Sequence, residues 1–209
     1  MPAGEQDPGD DAPLPPRTGP RHPARWLALG VGVVCLGLIL LFAFKGENRL
    51  DPESRLIGER VPEVAGASVV GGTPYDIDQA RGRWVVVNFF ASWCGPCIAE
   101  QPELRRFADW GTQTGRAELV GVVFQDPKAV EFLTENGGNW PVIDEPGVAV
   151  AFQVAKLPES FLVAPSGVVV QRIQGAVSAD DLIGLIDAYE ARRAGDQGSD
   201  RQAGEQGSS

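Results

Sequence analysis

Two long runs of apolar residues stand out in the hydropathy pattern of this chain. The first, at 26–44, contains nineteen residues without a charge and has the sequence WLALGVGVVCLGLILLFAF. A helix of this length is about 28 Å long, which is enough to cross the apolar core of a bilayer. Trp26 begins the run, and aromatic residues favour the membrane interface. The pattern predicts one N-terminal transmembrane helix.

A cleaved signal peptide is the alternative for this run. Signal peptides have a shorter apolar region, which ends in a small-x-small cleavage site. Here the run ends in Phe42-Ala43-Phe44-Lys45, a poor site that favours an uncleaved anchor. Lys and Arg flank both ends, so the positive-inside rule alone does not fix the orientation. The basic cluster on the N-terminal side carries no interspersed acid, which favours a cytoplasmic N-terminus.

The second apolar run, WVVVNFF at 84–90, is nearly continuous rather than alternating. This is typical of a strand that is buried on both faces of a sheet, and a similar run at 118–124 predicts a second buried strand. Between them, 98–110 predicts a helix that Pro102 is expected to kink.

Shorter elements complete the pattern. Helices are predicted at 127–136, with a proline in the first turn and two glycines at the end, and at 147–154. Strands at 160–164 and 168–173 flank a Pro-Ser-Gly turn and predict a hairpin. The stretch 178–192 predicts a last helix, with a serine cap and two acids in its first turn. This order of elements predicts an α/β sheet with helices on both faces.

Composition divides the chain into five parts. Residues 1–25 are rich in proline, glycine and charge, which predicts a disordered tail. The anchor at 26–44 is followed by a polar linker at 45–57. The globular domain is predicted at 58–193. Residues 194–209 are glycine, glutamine, serine and charged residues, which we expect to form a second disordered tail.

The charge balance argues against nucleic acid as a partner. The chain has 18 Lys and Arg against 28 Asp and Glu, a formal net charge of −10. Binding to nucleic acid needs clustered basic residues, so we expect no nucleic-acid partner. An acidic surface is compatible with plain solubility or with a basic client protein.

Three cysteines are too few for the disulfide framework of a small secreted protein. Cys35 lies inside the first apolar run, where we expect it to be a small hydrophobic residue. Cys94 and Cys97 form a Cys-x-x-Cys pair, which is used in redox sites and in zinc sites. Structural zinc needs four ligands, and the one histidine, His22, is far along the chain, so we predict no metal site.

The Cys-x-x-Cys pair falls between the buried strand and the first turn of the predicted helix. A helix N-terminus stabilises a thiolate, which is the form of cysteine that attacks disulfides. We expect Cys94 to attack a substrate disulfide and Cys97, one turn inside, to resolve the mixed disulfide. The reverse sequence would oxidise a client. Gly95-Pro96 keeps the loop tight, because proline lacks an N–H that a helix start leaves unpaired.

Three neighbouring side chains are candidates to support this exchange. Glu100, three residues after Cys97, lies on the same helical side and is the candidate acceptor for the Cys97 proton; a solvated surface carboxylate is the alternative. Asn88 cannot be a base, and it would either orient a water beneath the dithiol or be a satisfied buried amide. Trp93 would shield the thiolate and contact a client, or pack in the core.

The motif Trp93-Cys94-Gly95-Pro96-Cys97 resembles the active site of the thioredoxin superfamily. Further landmarks match that family in order: the helix proline Pro102, Leu157-Pro158 before a strand, and Gly175 after the last strand. The resemblance covers 58–193 and implies a thioredoxin-like fold with a central mixed sheet. It also implies a cis peptide bond at Pro158 and a substrate groove that contains Trp93, Gly95, Pro96, Leu157, Pro158 and Gly175.

One residue departs from the usual thioredoxin pattern and indicates a smaller group within the superfamily. Asn88 stands where thioredoxins usually have a buried aspartate. Together with Glu100 and the anchor, it is similar to the extracytoplasmic TlpA/ResA/DsbE group, as is the stretch 152–161. That resemblance implies a single-pass inner-membrane protein that reduces disulfides outside the cytoplasm, notably in cytochrome c maturation. The implied partners are a disulfide-bearing client such as apocytochrome c and a membrane dithiol donor, with no cofactor beyond the Cys94–Cys97 disulfide.

Two other functions stay open at this point. The same residues would serve an oxidase that introduces disulfides into secreted proteins, since only the reduction potential and the redox partner differ. A copper- or haem-assembly binding module is disfavoured, because copper carriers of this fold typically need an extra histidine and a wider cysteine spacing. A thiol peroxidase is disfavoured because the sequence has no Thr-x-x-Cys.

Overall fold

The computed structural model describes Val31, residues 49–50 and residues 55–206. Gly46–Ser209 is one compact unit, and Met1–Lys45 is a separate one. The predicted N-terminal tail and membrane anchor lie outside the described residues, apart from Val31. In the part of the chain that is described, no helix is both long enough and apolar enough to cross a membrane.

The described strands are β1 (Arg49–Leu50), β2 (Ala65–Ala67), β3 (Pro74–Asp76), β4 (Trp84–Phe90), β5 (Ala117–Val123), β6 (Val142–Ile143), β7 (Glu159–Val163) and β8 (Val169–Gln174). Six of them form a sheet in the order β1-β8-β7-β4-β5-β6, while β2 and β3 form a separate hairpin. The strands β4, β5 and β6 are parallel, whereas β7, β8 and β1 each run antiparallel to their neighbours. The sheet is therefore mixed, as predicted.

The described helices are α1 (Gly95–Thr114), α2 (Ala129–Asn136), α3 (Pro146–Ala151) and α4 (Ala179–Gln206), with a 3₁₀ helix at Ile77–Ala80. Two buried apolar clusters lie on the two faces of the sheet. The helices α1, α2 and α4 share one cluster with Val86 and Phe90 of β4. The helix α3 shares the other cluster with Val87 and Phe89. The prediction of helices on both faces is confirmed.

The longer strands lie within one residue of their predicted bounds, because apolar runs mark β4 and β5 and the Pro-Ser-Gly turn marks β7 and β8. The helices differ more. The helix α1 begins at Gly95 and ends at Thr114, and so contains both Cys97 and Pro102. The helix α2 begins at Ala129, so the prediction that Pro127 lies in its first turn was wrong.

Three features were not predicted. Strand β1 pairs with Ile173 and Gln174 of β8 inside the predicted linker, and β6 pairs with β5. Two-residue strands have no periodicity, so a hydropathy pattern cannot reveal them. The helix α4 continues to Gln206, so the expected disorder of 194–209 was wrong for 194–206. Residues 194–206 contain three glycines and two aspartates, which disfavour helix, so composition did not predict this extension.

Candidate active site

The carboxyl end of β4 leads into the first turn of α1, and the Cys-x-x-Cys pair lies at this junction. Cys94 is the N-cap residue: its carbonyl accepts from the N–H of Ile98 at 3.1 Å, and its Sγ accepts from the N–H of Cys97 at 3.2 Å. Pro96 lies in the first turn, where its missing N–H leaves no bond unmade. The helix start therefore presents an N–H group to the Cys94 sulfur, an arrangement that stabilises a thiolate.

Cys94 and Cys97 are joined in a disulfide, with an S–S distance of 2.09 Å and a Cα–Cα distance of 5.2 Å. Cys94 is 6% exposed and Cys97 is fully buried. Cys94 is thus less accessible than the exposed helix start that we expected, because its sulfur lies over the first turn. It remains the more accessible sulfur. The neighbouring Trp93 is 63% exposed, which excludes the alternative that it packs in the core.

A buried polar network lies on the same face of the sheet as the two cysteines. The Nδ2 group of Asn88 donates to Glu100 Oε1 at 3.0 Å and to Ser160 Oγ at 3.1 Å. Glu100 Oε2 accepts from the backbone N–H of Val177 at 3.0 Å. Glu100 is only 2% exposed, so the alternative of a solvated surface carboxylate is wrong. Asn88 is a buried amide that holds this carboxylate in place.

Burial makes the Glu100 carboxyl a weaker acid than an ordinary glutamate. Removal from water raises the pKa of its carboxyl to about 7, although the hydrogen bonds from Asn88 and Val177 oppose the shift. Glu100 and Cys97 occupy positions i+3 and i on α1, where Cβ atoms are about 5–6 Å apart, and both side chains are buried. A carboxyl group that titrates near neutral pH can both accept and release a proton there.

The loop between α3 and β7 forms another part of the site. The Leu157–Pro158 peptide bond is cis, which is the geometry that the resemblance implies. The N–H of Gly175 donates to the Pro158 carbonyl at 2.9 Å, so this carbonyl already accepts one hydrogen bond within the protein. Among the described residues, the backbone N–H and carbonyl of Leu157 have no hydrogen-bond partner. Leu157 also packs against the apolar cluster that contains both cysteines.

Asp126, which follows β5, fastens the turn that precedes the cysteines. Its carboxylate accepts from the backbone N–H of Ser92 at 2.5 Å and from that of Lys128 at 3.0 Å. Burial raises the pKa of Asp126, but these N–H groups outweigh it and bring the pKa below its ordinary value. Asp126 was missed from the sequence, where the signal was an Asp-Pro turn directly after a buried strand.

Replacing Asp126 with alanine should loosen the Ser92 turn. The Ser92 N–H loses its acceptor, so the free energy of unfolding should fall by about 1–3 kcal/mol. Urea denaturation of the oxidised protein measures the loss, and amide hydrogen exchange at Ser92 locates it. Asp109→Ala, which removes an exposed carboxylate from α1, is the matched control. Equal effects of the two substitutions would contradict this role for Asp126.

Candidate metal ligands do not converge in the described part of the chain. No group of three or more His, Cys, Asp or Glu side chains there is placed to hold a metal ion. The chemistry that the site can perform with its own residues is thiol–disulfide exchange.

Comparison with known proteins agrees with this chemistry. Residues 56–185, more than half of the chain, match the Redoxin family. The chain belongs to the Redoxin family. It is similar to the thiol:disulfide interchange protein DsbE homolog of Paracoccus denitrificans, with 34% identity over 142 residues that cover 64% of this chain and 76% of the relative.

A second relative of this Redoxin-family chain is the thiol:disulfide interchange protein HelX of Rhodobacter capsulatus. The two are 33% identical over 159 residues, which cover 73% of this chain and 88% of HelX. Among solved structures, a thiol:disulfide interchange protein of the thioredoxin family from Chlorobium tepidum TLS aligns with a TM-score of 0.57 and 26% identity. That alignment covers 65% of this chain and 97% of the other.

These similarities confirm both the thioredoxin-like fold and the resemblance to the DsbE and ResA group. The Redoxin-family chain is a thiol–disulfide oxidoreductase, as the Cys-x-x-Cys motif predicted.

Proposed function

We propose that this Redoxin-family chain reduces disulfides of client proteins outside the cytoplasm, at the inner membrane, in cytochrome c maturation. The observation that carries the proposal is the Cys94–Cys97 disulfide at the N-terminus of α1. The charge-free run at 26–44, whose structure lies outside the described residues except at Val31, supports membrane anchoring with the N-terminus in the cytoplasm. The similarity to a DsbE homolog agrees with the TlpA/ResA/DsbE resemblance, which implies this place for the reaction.

The reaction begins with the dithiol form. The Cys94 thiolate attacks one sulfur of a client disulfide, and the other client sulfur leaves and takes up a proton. A mixed disulfide between Cys94 and the client results. The N–H of Cys97, which contacts the Cys94 sulfur at 3.2 Å, stabilises the attacking thiolate.

The second step closes the internal disulfide. Glu100 removes the proton from the Cys97 thiol, and the resulting thiolate attacks the Cys94 sulfur. The client sulfur leaves as a thiolate, so two electrons have passed from the dithiol to the client disulfide. Asn88 and the Val177 N–H hold the Glu100 carboxylate in position for this transfer. A membrane dithiol donor then returns the protein to its dithiol form.

The client binds as an extended segment beside the sulfurs. The unpaired N–H and carbonyl of Leu157 offer the hydrogen bonds that such a segment needs. Trp93, Gly95 and Pro96 are exposed next to Cys94 and supply the facing surface. Gly175, with φ of 97°, lets the chain turn away beside Pro158.

Trapping the mixed disulfide tests the function. In Cys97→Ala, the second step is blocked, so the client should stay attached to Cys94 as a mixed disulfide. Dithiothreitol should reduce this disulfide and separate the complex. The experiment uses the full chain in its native membrane, with Cys94→Ala/Cys97→Ala as the control that traps nothing. Mass spectrometry of the complex identifies the client. No complex in Cys97→Ala, or attached proteins unrelated to cytochrome c maturation, would contradict the proposal.

The reduction potential separates a reductase from an oxidase. We expect equilibration with glutathione to leave wild-type protein oxidised, which corresponds to a potential well below that of the glutathione couple. A protein that stays reduced in the same buffer would be an oxidant for secreted proteins.

A further inference from the structure

Gln101 is a polar residue in the middle of the apolar stripe that α1 turns toward the core. It follows Cys97 by four residues and precedes Leu104 by three, so the three side chains share one face of the helix. Gln101 is only 4% exposed. Removing an amide from water is unfavourable unless its polar atoms are hydrogen-bonded, and an apolar side chain of similar length would avoid this cost.

Hydrogen bonds satisfy only half of the Gln101 amide. Its Nε2 group donates to the Cys97 carbonyl at 3.5 Å, whereas its Oε1 atom is buried and has no partner among the described residues. Glu159 Oε2 is the other buried side-chain oxygen without a partner in this part of the chain, but the second oxygen of that carboxylate accepts from Arg172. Buried acceptors are rarely left unpaired, and a redox role is one recognised reason for an exception.

The bond to the Cys97 carbonyl shows where the Gln101 side chain lies. The side chain folds back along α1 toward the N-terminus, over the turn that contains Cys97. Side chains at positions i and i+4 of a helix are neighbours, with Cβ atoms about 5–6 Å apart. The Cys97 side chain is fully buried on the same face. The Gln101 amide therefore lies in the same buried region as the Cys97 sulfur.

Reduction of the disulfide changes which hydrogen-bond donors this region contains. In the Cys94–Cys97 disulfide neither sulfur carries a hydrogen, so the pair offers no donor to Gln101 Oε1. In the dithiol form the Cys97 thiol carries an S–H group, which is a weak donor. An acceptor that is unpaired in one redox state and paired in the other stabilises the second state relative to the first.

We propose that Gln101 sets the reduction potential of the Cys94–Cys97 pair, because its Oε1 atom accepts a hydrogen bond from the Cys97 thiol in the dithiol form and has no such donor in the disulfide form. This bond stabilises the dithiol and makes the protein a weaker reductant than an apolar residue at position 101 would. Return to the dithiol form becomes more favourable, and electron transfer to a client becomes less so. The inference rests on thiol–disulfide exchange at Cys94 and Cys97, whichever client takes part.

Replacing Gln101 with methionine tests this inference. Methionine is unbranched, favours helix and lacks an oxygen acceptor. The full-length protein is equilibrated with mixtures of reduced and oxidised dithiothreitol, in which reduced dithiothreitol supplies two electrons and two protons and becomes its cyclic disulfide. Alkylation of free thiols followed by mass spectrometry gives the fraction of dithiol. In Gln101→Met, we expect the equilibrium constant for dithiol formation to fall about fivefold, or about 20 mV for a two-electron couple.

The stability of the two redox forms separates redox tuning from a purely structural role. In the disulfide form, Gln101→Met removes an unpaired oxygen along with the long Nε2 bond, whereas in the dithiol form it removes a paired oxygen. Urea denaturation should therefore show a larger loss of stability in the dithiol form. The difference between the two losses should match the fivefold shift, because the four states form a closed thermodynamic cycle. Gln113→Met, at an exposed position of α1, is the matched control and should change neither quantity.

The outcomes distinguish this inference from the proposed function. An unchanged or raised equilibrium constant for dithiol formation in folded Gln101→Met would overturn the role of Gln101, and so would equal losses of stability in both redox forms. Either result would leave disulfide reduction by Cys94 and Cys97 intact. A wild-type potential above that of the glutathione couple would contradict the proposed reductase, but it would leave the shift between wild type and Gln101→Met as the measure of this inference.

Discussion

Cys94→Ser should lower the rate of disulfide reduction by at least about a thousand-fold. A serine hydroxyl remains protonated where a cysteine forms a thiolate, so the attack on a client disulfide cannot begin. The N–H of Cys97 would still point at the serine oxygen, but one hydrogen bond cannot supply the missing ionisation. Reduction of insulin with dithiothreitol as the electron donor, followed by the turbidity of the released chains, measures the rate.

The third cysteine supplies the control for this substitution. Cys35→Ser removes a thiol outside the described residues and should keep wild-type activity. Appreciable turnover by Cys94→Ser, or loss of turnover in Cys35→Ser, would place the nucleophile elsewhere and contradict the mechanism.

Glu100→Gln should change how stability depends on pH. In the folded protein the pKa of Glu100 is raised from 4.5 to about 7, so the folded state holds a proton that the unfolded state has released. That contribution is fully present below pH 4.5 and is lost as pH rises through 7. The wild type should therefore lose about 3 kcal/mol over this window from Glu100, and Glu100→Gln, which cannot ionise, should not.

Urea denaturation of the oxidised proteins between pH 4 and 8 measures this difference. The informative quantity is the slope of the stability difference with pH, because glutamine also disturbs the bonds to Asn88 and Val177 and shifts the whole curve. Glu131→Gln, an exposed site on α2, is the control and should give a profile parallel to the wild type. A parallel profile for Glu100→Gln would show that its carboxyl titrates normally. The same variant should slow the second step of exchange near neutral pH.

The strands and the cysteine site could be predicted because they leave local signals. The run WVVVNFF is long enough to show that both faces of β4 are buried. The Cys-Gly-Pro-Cys sequence is itself enough to indicate the disulfide ring and the start of α1. The short strands β1 and β6 could not be found this way. Their pairing depends on partners far along the chain, Gln174 and Gly121, and two residues carry no period.

The burial of Glu100 and its hydrogen-bond partners could not be predicted from the sequence. Its position three residues after Cys97 indicated the correct side of the helix, but burial depends on packing against β4 and β7. Ser160 and Val177 come from distant segments, and no local pattern indicates that both converge on this carboxyl. Asp126 is similar, because its contact with Ser92 joins two loops that only the sheet brings together.

The Glu100 carboxyl lies between Cys97 and the loop that contains Gly175 and Val177. Val177, whose N–H donates to Glu100, lies two residues after Gly175 and two before α4 begins. In the proposed second step Glu100 takes the Cys97 proton, and a protonated carboxyl is a weaker acceptor for the Val177 N–H. The proposed exchange would therefore loosen the loop that joins Gly175 to α4 as the reduced client leaves.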